Sequence, residues 1–347
     1  MRAAMYRGNR TLTLEQVPVP VPGPNEIVVK VAACGVCHTD LHYTDHGVAT
    51  AKKPPIILGH EASGVVHQAG EGVTAWKPGD RVLLPAVLTC GCCELCRMGR
   101  ENICLNMKMF GNHVDGAFAE FVRAPAKDAI AVPPELPLEE ACVIADAAST
   151  PYHAVTHRGK VRPGERVVVF GCGGVGVNAV QFAAAAGASV VAVDLDPAKL
   201  DVARQLGATE VVHAGEEDVV RRVKALTSGG ADAAFECIGN PATVRQATDS
   251  IRRGGRVVIV GFCGHPVELN VGRIMFFEQE VIGSLGCRPV DYPRVLQMAA
   301  AGRIRILPLV SGRYPLDRVN EAFDALRAGK GLRRIVTMAP AAPVATG

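Results

Sequence analysis

Three stretches of this 347-residue chain concentrate side chains that can hold metal ions. "CGVCHTDLHYTDHG" carries Cys34, Cys37, His38, Thr39, Asp40, His42 and His46. "ILGHEASG" carries His60 and Glu61, and "CGCCELCRMGRENIC" carries five cysteines. In the third stretch Cys90, Cys93, Cys96 and Cys104 are spaced C-x2-C-x2-C-x7-C. Four thiolates close a tetrahedron around zinc, and spacings this short let one loop wrap the ion. Such a site has no open position, so its expected work is to fold the loop. Cys92 does not fit the spacing and reads as a spare thiol. A catalytic zinc instead needs three protein ligands and one open position. One Cys and one His are available in the first two stretches. A third ligand is expected from "EEACVIADAASTPYH", residues 139 to 153, where Cys142 and Asp146 lie four apart. Both can bind zinc, and residue chemistry alone leaves both open.

A second chemistry is written in "VVVFGCGGVG". Gly171, Gly173 and Gly176 follow a strand and open a helix, the context that gives a G-x-G-x-x-G its meaning. Gly171 permits the tight turn, Gly173 lets backbone approach a pyrophosphate, and Gly176 lets the helix pack on the sheet. The helix N-terminus supplies N–H donors. Gly174 and Val175 complete the loop. Asp194 ends the next strand, 18 residues after Gly176. Its carboxylate can accept both ribose hydroxyls and would repel a 2′-phosphate, so NAD is expected over NADP. Lys199, in the following helix, joins the candidate cofactor set.

These motifs need two scaffolds. From about residue 165, six apolar strand-like runs ("ERVVVFG", "SVVAVD", "EVVHA", "DAAFECIG", "RVVIVGF", "VIGSLG") mostly alternate with helical runs, including one over "PATVRQATDSIRRGG". That pattern predicts a parallel sheet covered on both faces. Residues 1 to 150 are β-rich and irregular, broken by "PVPVPGPNE" and "PPELP". The stretch 288–347 does not extend the alternation and is assigned back to the first domain, its tail "APAAPVATG" expected to be disordered. The expected division is 1–150 with 288–347, and 151–287. The composition is 48% hydrophobic and 20% charged with net charge +3, so no basic stripe points to nucleic acid. No signal peptide or apolar run of membrane-spanning length is visible, and twelve cysteines without a signal suggest metal ligands in a reducing cytoplasm.

Together, "GVCHTDLH", "GHEASG", the four-cysteine loop and "GCGGVG…VVAVD" resemble the zinc-dependent medium-chain alcohol dehydrogenases. The order and spacing match from about residue 1 to 340. The resemblance implies an α/β chain: a GroES-like β-rich catalytic domain plus a Rossmann domain with a doubly wound parallel sheet, the active site lying between them. It implies NAD and two zinc ions per chain. Cys37 and His60 match the first two ligands of the catalytic zinc, Glu61 the acid that follows the His and can itself approach the metal, and Asp40 the carboxylate that orients the His. Aligning on "ST-x-Y" puts Asp146, not Cys142, at the third position. A subset of the family has Asp there, bacterial secondary-alcohol dehydrogenases among them. Thr39 matches the hydroxyl that takes the alcohol proton, and His42 the outer end of the relay. His38 and Arg333 match basic residues near the pyrophosphate.

The expected reaction is reversible hydride transfer between an alcohol and NAD, giving ketone or aldehyde, with secondary, cyclic or allylic alcohols favoured. A zinc polyol dehydrogenase is the alternative. A zinc-free reductase of the superfamily would lack the Cys37/His60 pair, and a non-catalytic nucleotide-binding relative would show eroded ligands. The resemblance also implies a homo-oligomer, tetramer or dimer, joined through the strand "VIGSLG", with neither nucleic acid nor membrane as a partner.

Overall fold

The computed structural model describes residues 1–338; the tail expected to be disordered lies outside the described residues. By its internal contacts the chain divides into two compact units. Among the described residues, one comprises Met1–Asp146, Arg288–Gly302 and 306–338; the other comprises Ala147–Cys287 and Arg303–Arg305.

The second unit is built on six parallel strands. In spatial order they are Glu210–His213, Ser189–Asp194, Arg166–Phe170, Ala231–Glu236, Ile251–Ile259 and Glu280–Gly283. Numbered along the chain this is 3-2-1-4-5-6, the doubly wound order whose crevice lies where the sequence order reverses, at the Arg166–Phe170 strand. The central strands are nearly unbroken apolar runs, as helices on both faces require. Two crossover helices start as their sequences say. Asp196 caps Pro197–Gln205 by accepting from Ala198 N–H, and Asn240 caps Pro241–Ser250 by accepting from Ala242 N–H. The second is shorter than expected. It stops at Ser250, and the five residues read as its end begin the next strand. Ile251 is fully buried and pairs with Ala231, so burial outweighs the helical pattern of "DSIRRGG".

In the first unit, the long strand Glu26–Val36 is the axis. It pairs antiparallel with Glu61–Ala69 on one side and with Arg333–Thr337 on the other. That second pairing is why the C-terminal segment returns to this unit. Helix Val319–Arg327 covers the sheet with Val319, Ala322, Phe323 and Leu326, an i, i+3, i+4, i+7 stripe buried with Ile27, Val29 and Phe118. The strand ends carry the chemistry. Glu61 lies opposite Gly35, and Arg334 opposite Val36. Cys37, His60, Glu61 and Arg333 are therefore delivered to one end of one sheet.

Candidate functional site

Cys37 leaves the end of the long strand as the N-cap of helix His38–Thr44. Its backbone N–H donates to Asp40 Oδ2 at 3.0 Å, so Asp40 fixes the residue from within the helix's first turn. Asp40 Oδ1 lies 3.7 Å from Nδ1 of His60. One buried carboxylate thus faces both the Cys37 backbone and the His60 ring. Gly59, at φ +92°, makes the turn that aims His60 inward; a Cβ there would meet Cys34 Sγ at 2.8 Å. Asp146 arrives at the end of the 3₁₀ segment Cys142–Ala145. Its Oδ2 is 3.8 Å from Cys37 Sγ and 3.7 Å from His60 Nε2.

One ligand atom from each of Cys37, His60, Glu61 and Asp146 lies within 4.8 Å of the others. Cys142 is outside this set and wholly buried, and burial pushes its thiol well above the usual cysteine range. Both ring nitrogens of His60 and Asp40 Oδ1 are buried with no hydrogen-bond partner among the described residues. Orphaned donors and acceptors are costly, and a cation bound between thiolate, imidazole and carboxylate is what this set lacks. Burial by itself would lower the His60 pKa, but Asp146, Asp40 and Cys37 outweigh it and hold the ring well above its usual value. Thiolate and carboxylates thus draw positive charge to this point of the pocket. These residues fit a zinc ion.

Behind the cluster, Arg333 is buried. Its Nη2 lies 3.1 Å from Glu61 Oε1, and its Nη1 donates to the Val36 carbonyl at 3.1 Å. Arg333, expected near the pyrophosphate, has its guanidinium beside Glu61. Burial pushes the Glu61 carboxyl up to about 7 although Arg333 draws it down. A Cβ on Gly35 would stand 1.9 Å from Glu61 Oε2. Gly35 therefore makes the room Glu61 occupies, a requirement that no motif signals.

The four-cysteine loop is closed by helix Glu94–Arg97 and a 3₁₀ turn at Glu101–Ile103. Its Sγ–Sγ distances are 3.4 Å for Cys90–Cys104, 3.5 Å for Cys93–Cys96, 3.8 Å for Cys93–Cys104 and 3.9 Å for Cys90–Cys96. Thiolates about 2.3 Å from a tetrahedral zinc lie about 3.8 Å apart, so the set fits. Cys92 is exposed and outside the cluster.

In the second unit Gly171 takes φ +88°, and a Cβ on Gly176 would lie 1.6 Å from the Gly171 carbonyl. A Cβ on Gly173 meets nothing within 4 Å, leaving open space over the loop. Helix Gly176–Ala185 starts at Val175 without a side-chain cap, and Val177 N–H donates to the Gly173 carbonyl at 3.0 Å, closing the turn of the glycine loop onto the helix. Asp194 accepts from Cys172 N–H at 2.6 Å and Asp196 N–H at 2.9 Å. It therefore braces the glycine loop. Lys199 Nζ lies 3.9 Å from Asp196, one turn into the helix after that strand. His38 is exposed at the start of its helix, Thr39 Oγ1 is 3.6 Å from Cys37 Sγ, and His42 follows on the same helix.

Residues 23–134 match the alcohol dehydrogenase GroES-like domain, and residues 174–301 the zinc-binding dehydrogenase domain. The chain is 37% identical over 338 residues to an alcohol dehydrogenase of Geobacillus stearothermophilus, covering 97% of this chain and 99% of that one. It is 35% identical over 330 residues to a sorbitol dehydrogenase of Bacillus subtilis (strain 168), covering 93% of each. The solved structure of an NAD-dependent alcohol dehydrogenase superposes with TM-score 0.92 at 31% identity, covering 98% of this chain and 100% of that one.

Proposed function

Because the chain belongs to the zinc-dependent medium-chain alcohol dehydrogenases and is an oxidoreductase, we propose that it oxidises a secondary, cyclic or allylic alcohol reversibly with NAD. The observation that carries this reading is the buried Cys37–His60–Asp146 cluster with its orphaned imidazole. These three residues would hold the catalytic zinc, with Glu61 beside it. Zinc there supplies Lewis-acid polarisation of the alcohol oxygen and lowers its pKa. The thiolate and carboxylate together balance a dication, while Glu61 is matched by Arg333. Asp40 holds the His60 ring in place. Thr39, next to Cys37, takes the alcohol proton, and His42 carries it outward. The Gly171–Gly176 loop would hold NAD, with Asp194 toward its ribose, and the nicotinamide would supply the hydride acceptor. The second zinc, held by Cys90, Cys93, Cys96 and Cys104, folds its loop.

Self-association is part of this reading. The edge strand Glu280–Gly283 and the neighbouring helix Val271–Phe276 present Val271, Met275 and Phe276, each more than 70% exposed. That face fits a second copy of the chain.

The test is NADH formation on a panel of primary, secondary, cyclic and allylic alcohols and polyols, with NADP as a parallel arm. Turnover on secondary or cyclic alcohols with NAD is expected. Turnover confined to polyols would move the assignment to a polyol dehydrogenase, and faster turnover with NADP would overturn the role given to Asp194. A second result is expected from Gly176→Ala. The new methyl collides with the Gly171 carbonyl, and overpacking of this kind costs about 1–3 kcal/mol. Fluorescence titration should show NADH binding lost, while both zinc ions remain by elemental analysis. Retained binding would remove the loop from the cofactor site.

A further inference from the structure

A second histidine stands beyond the relay. Thr39, His42 and His46 are spaced three and four residues apart, so they follow one face of helix His38–Thr44 and its exit. The stripe begins at the metal cluster, where Thr39 Oγ1 is 3.6 Å from Cys37 Sγ. It ends at the surface: His42 is half-buried and His46 exposed. His42 Nδ1 and His46 Nδ1 are 3.1 Å apart, with ring centroids at 5.2 Å and planes tilted by 53°. At that separation one nitrogen holds the proton and the other accepts it, since two N–H groups would repel.

We propose that His46 is the terminal proton carrier of this enzyme, receiving across the Nδ1–Nδ1 contact the proton that alcohol oxidation delivers to His42 and handing it to water. This rests on the dehydrogenase reading and extends it, because the family motif ends the relay at His42. In the step, the N–H bond of the His42 imidazolium at Nδ1 breaks and an N–H bond forms at Nδ1 of His46. The His46 imidazolium then loses a proton to water or buffer, and no electrons are exchanged.

Charged groups near the pair are themselves paired. Asp45, at the end of the same helix, is held by Arg327 at 2.7 Å and by Arg10 at 3.4 Å. The Arg327 guanidinium keeps its carboxyl well below the usual range. On the helix packed alongside, Arg327 also holds Asp324 at 2.8 Å, and His38 opens the helix that carries His42. Burial lowers the His42 pKa, and the charge of a protonated His46 lowers it further. His42 therefore releases its proton readily to its neighbour. Removing His46 takes away its share of that lowering, so the His42 pKa rises and a higher pH is needed to keep the ring neutral.

His46→Gln and His46→Ala in the zinc- and NAD-loaded enzyme test this. In ¹⁵N NMR the His42 imidazole of H46Q should titrate at higher pH than that of the wild type. In dilute buffer, kcat should fall about tenfold, less than the roughly hundredfold floor for a direct acid–base group, with KM unchanged. The acid limb of kcat should move up in pH. Increasing concentrations of a morpholine buffer should restore kcat in H46A and leave the wild type flat, whereas Thr39→Ala should fall further without rescue. A kcat of H46A independent of buffer concentration, or an unchanged His42 titration, overturns the proposal. A wild type inactive on every alcohol removes both readings; an active wild type matched by H46A removes the proton exit alone.

Discussion

Asp146→Asn should lose alcohol oxidation by about 10³-fold, while Cys142→Ala should keep it. Metal catalysis supplies several kcal/mol of charge stabilisation, and each ~1.4 kcal/mol is tenfold in rate. Asparagine keeps the shape of Asp146 but removes its charge, leaving the Cys37 thiolate as the only anion among the three ligands. The neutral amide also stands 3.7 Å from His60 Nε2 and 3.8 Å from Cys37 Sγ, in the place where the carboxylate faces both donors. Cys142 is four residues away in sequence, fully buried in the same 3₁₀ segment and outside the ligand set. Removing its sulfur is a packing change of about 1 kcal/mol. Elemental analysis separates the two: D146N should retain one zinc per chain, C142A two. The reverse pattern would transfer the ligand role to Cys142 and with it the thiolate-rich character of the site.

That choice shows where the sequence was legible and where it was not. The glycine loop, the four cysteines and the Cys37 and His60 positions are short-range patterns. Their spacing states their geometry, because a turn or strand end fixes neighbours a few residues apart. Residue chemistry leaves Asp146 and Cys142 both open, and the choice of Asp146 rests on the family alignment over "ST-x-Y". The spatial reason is long-range: a 3₁₀ turn sends the Asp146 side chain toward Cys37, 109 positions earlier in the chain. The requirement for Gly35 and the contact of Arg333 with Glu61 were beyond reach for the same reason. The need for Gly35 arises from Glu61 on the paired strand. Arg333 meets Glu61 only after the C-terminal strand has joined the sheet. The helix expected to reach residue 255 failed at Ser250 through long-range pairing as well, since the partner of Ile251 is Ala231. His46 had a visible spacing, but only the 3.1 Å contact with His42 gives it meaning.

Cys96→Ser should unfold the loop between residues 90 and 104 and destabilise the chain by about 4 kcal/mol or more, the range in which loss of a metal falls. The four thiols are not equivalent. Backbone N–H groups of Cys92 and Cys93 bring Cys90 down to about 5, whereas burial, with Cys93 and Cys104 adding to it, pushes Cys96 up to about 12. Only a cation at their centre makes all four thiolates at neutral pH, so metal binding and folding of the loop are one event. A serine hydroxyl keeps the size of the side chain but is no thiolate, and the buried position of Cys96 leaves no room for another ligand to replace it. Calorimetry should show Tm lower by about 8 °C or more, at ~2–4 °C per kcal/mol for a domain of 150–250 residues, with one zinc retained. Cys92→Ser should change neither, because Cys92 lies outside the cluster. The same contrast orders the response to a chelator. The Cys37–His60–Asp146 set has a harder, weaker donor in place of a thiolate and an open position, so its ion leaves first. Activity should therefore disappear before Tm falls; a joint loss of both ions would mean that the two sites are held by one folding unit and that the thiolate loop adds no stability of its own.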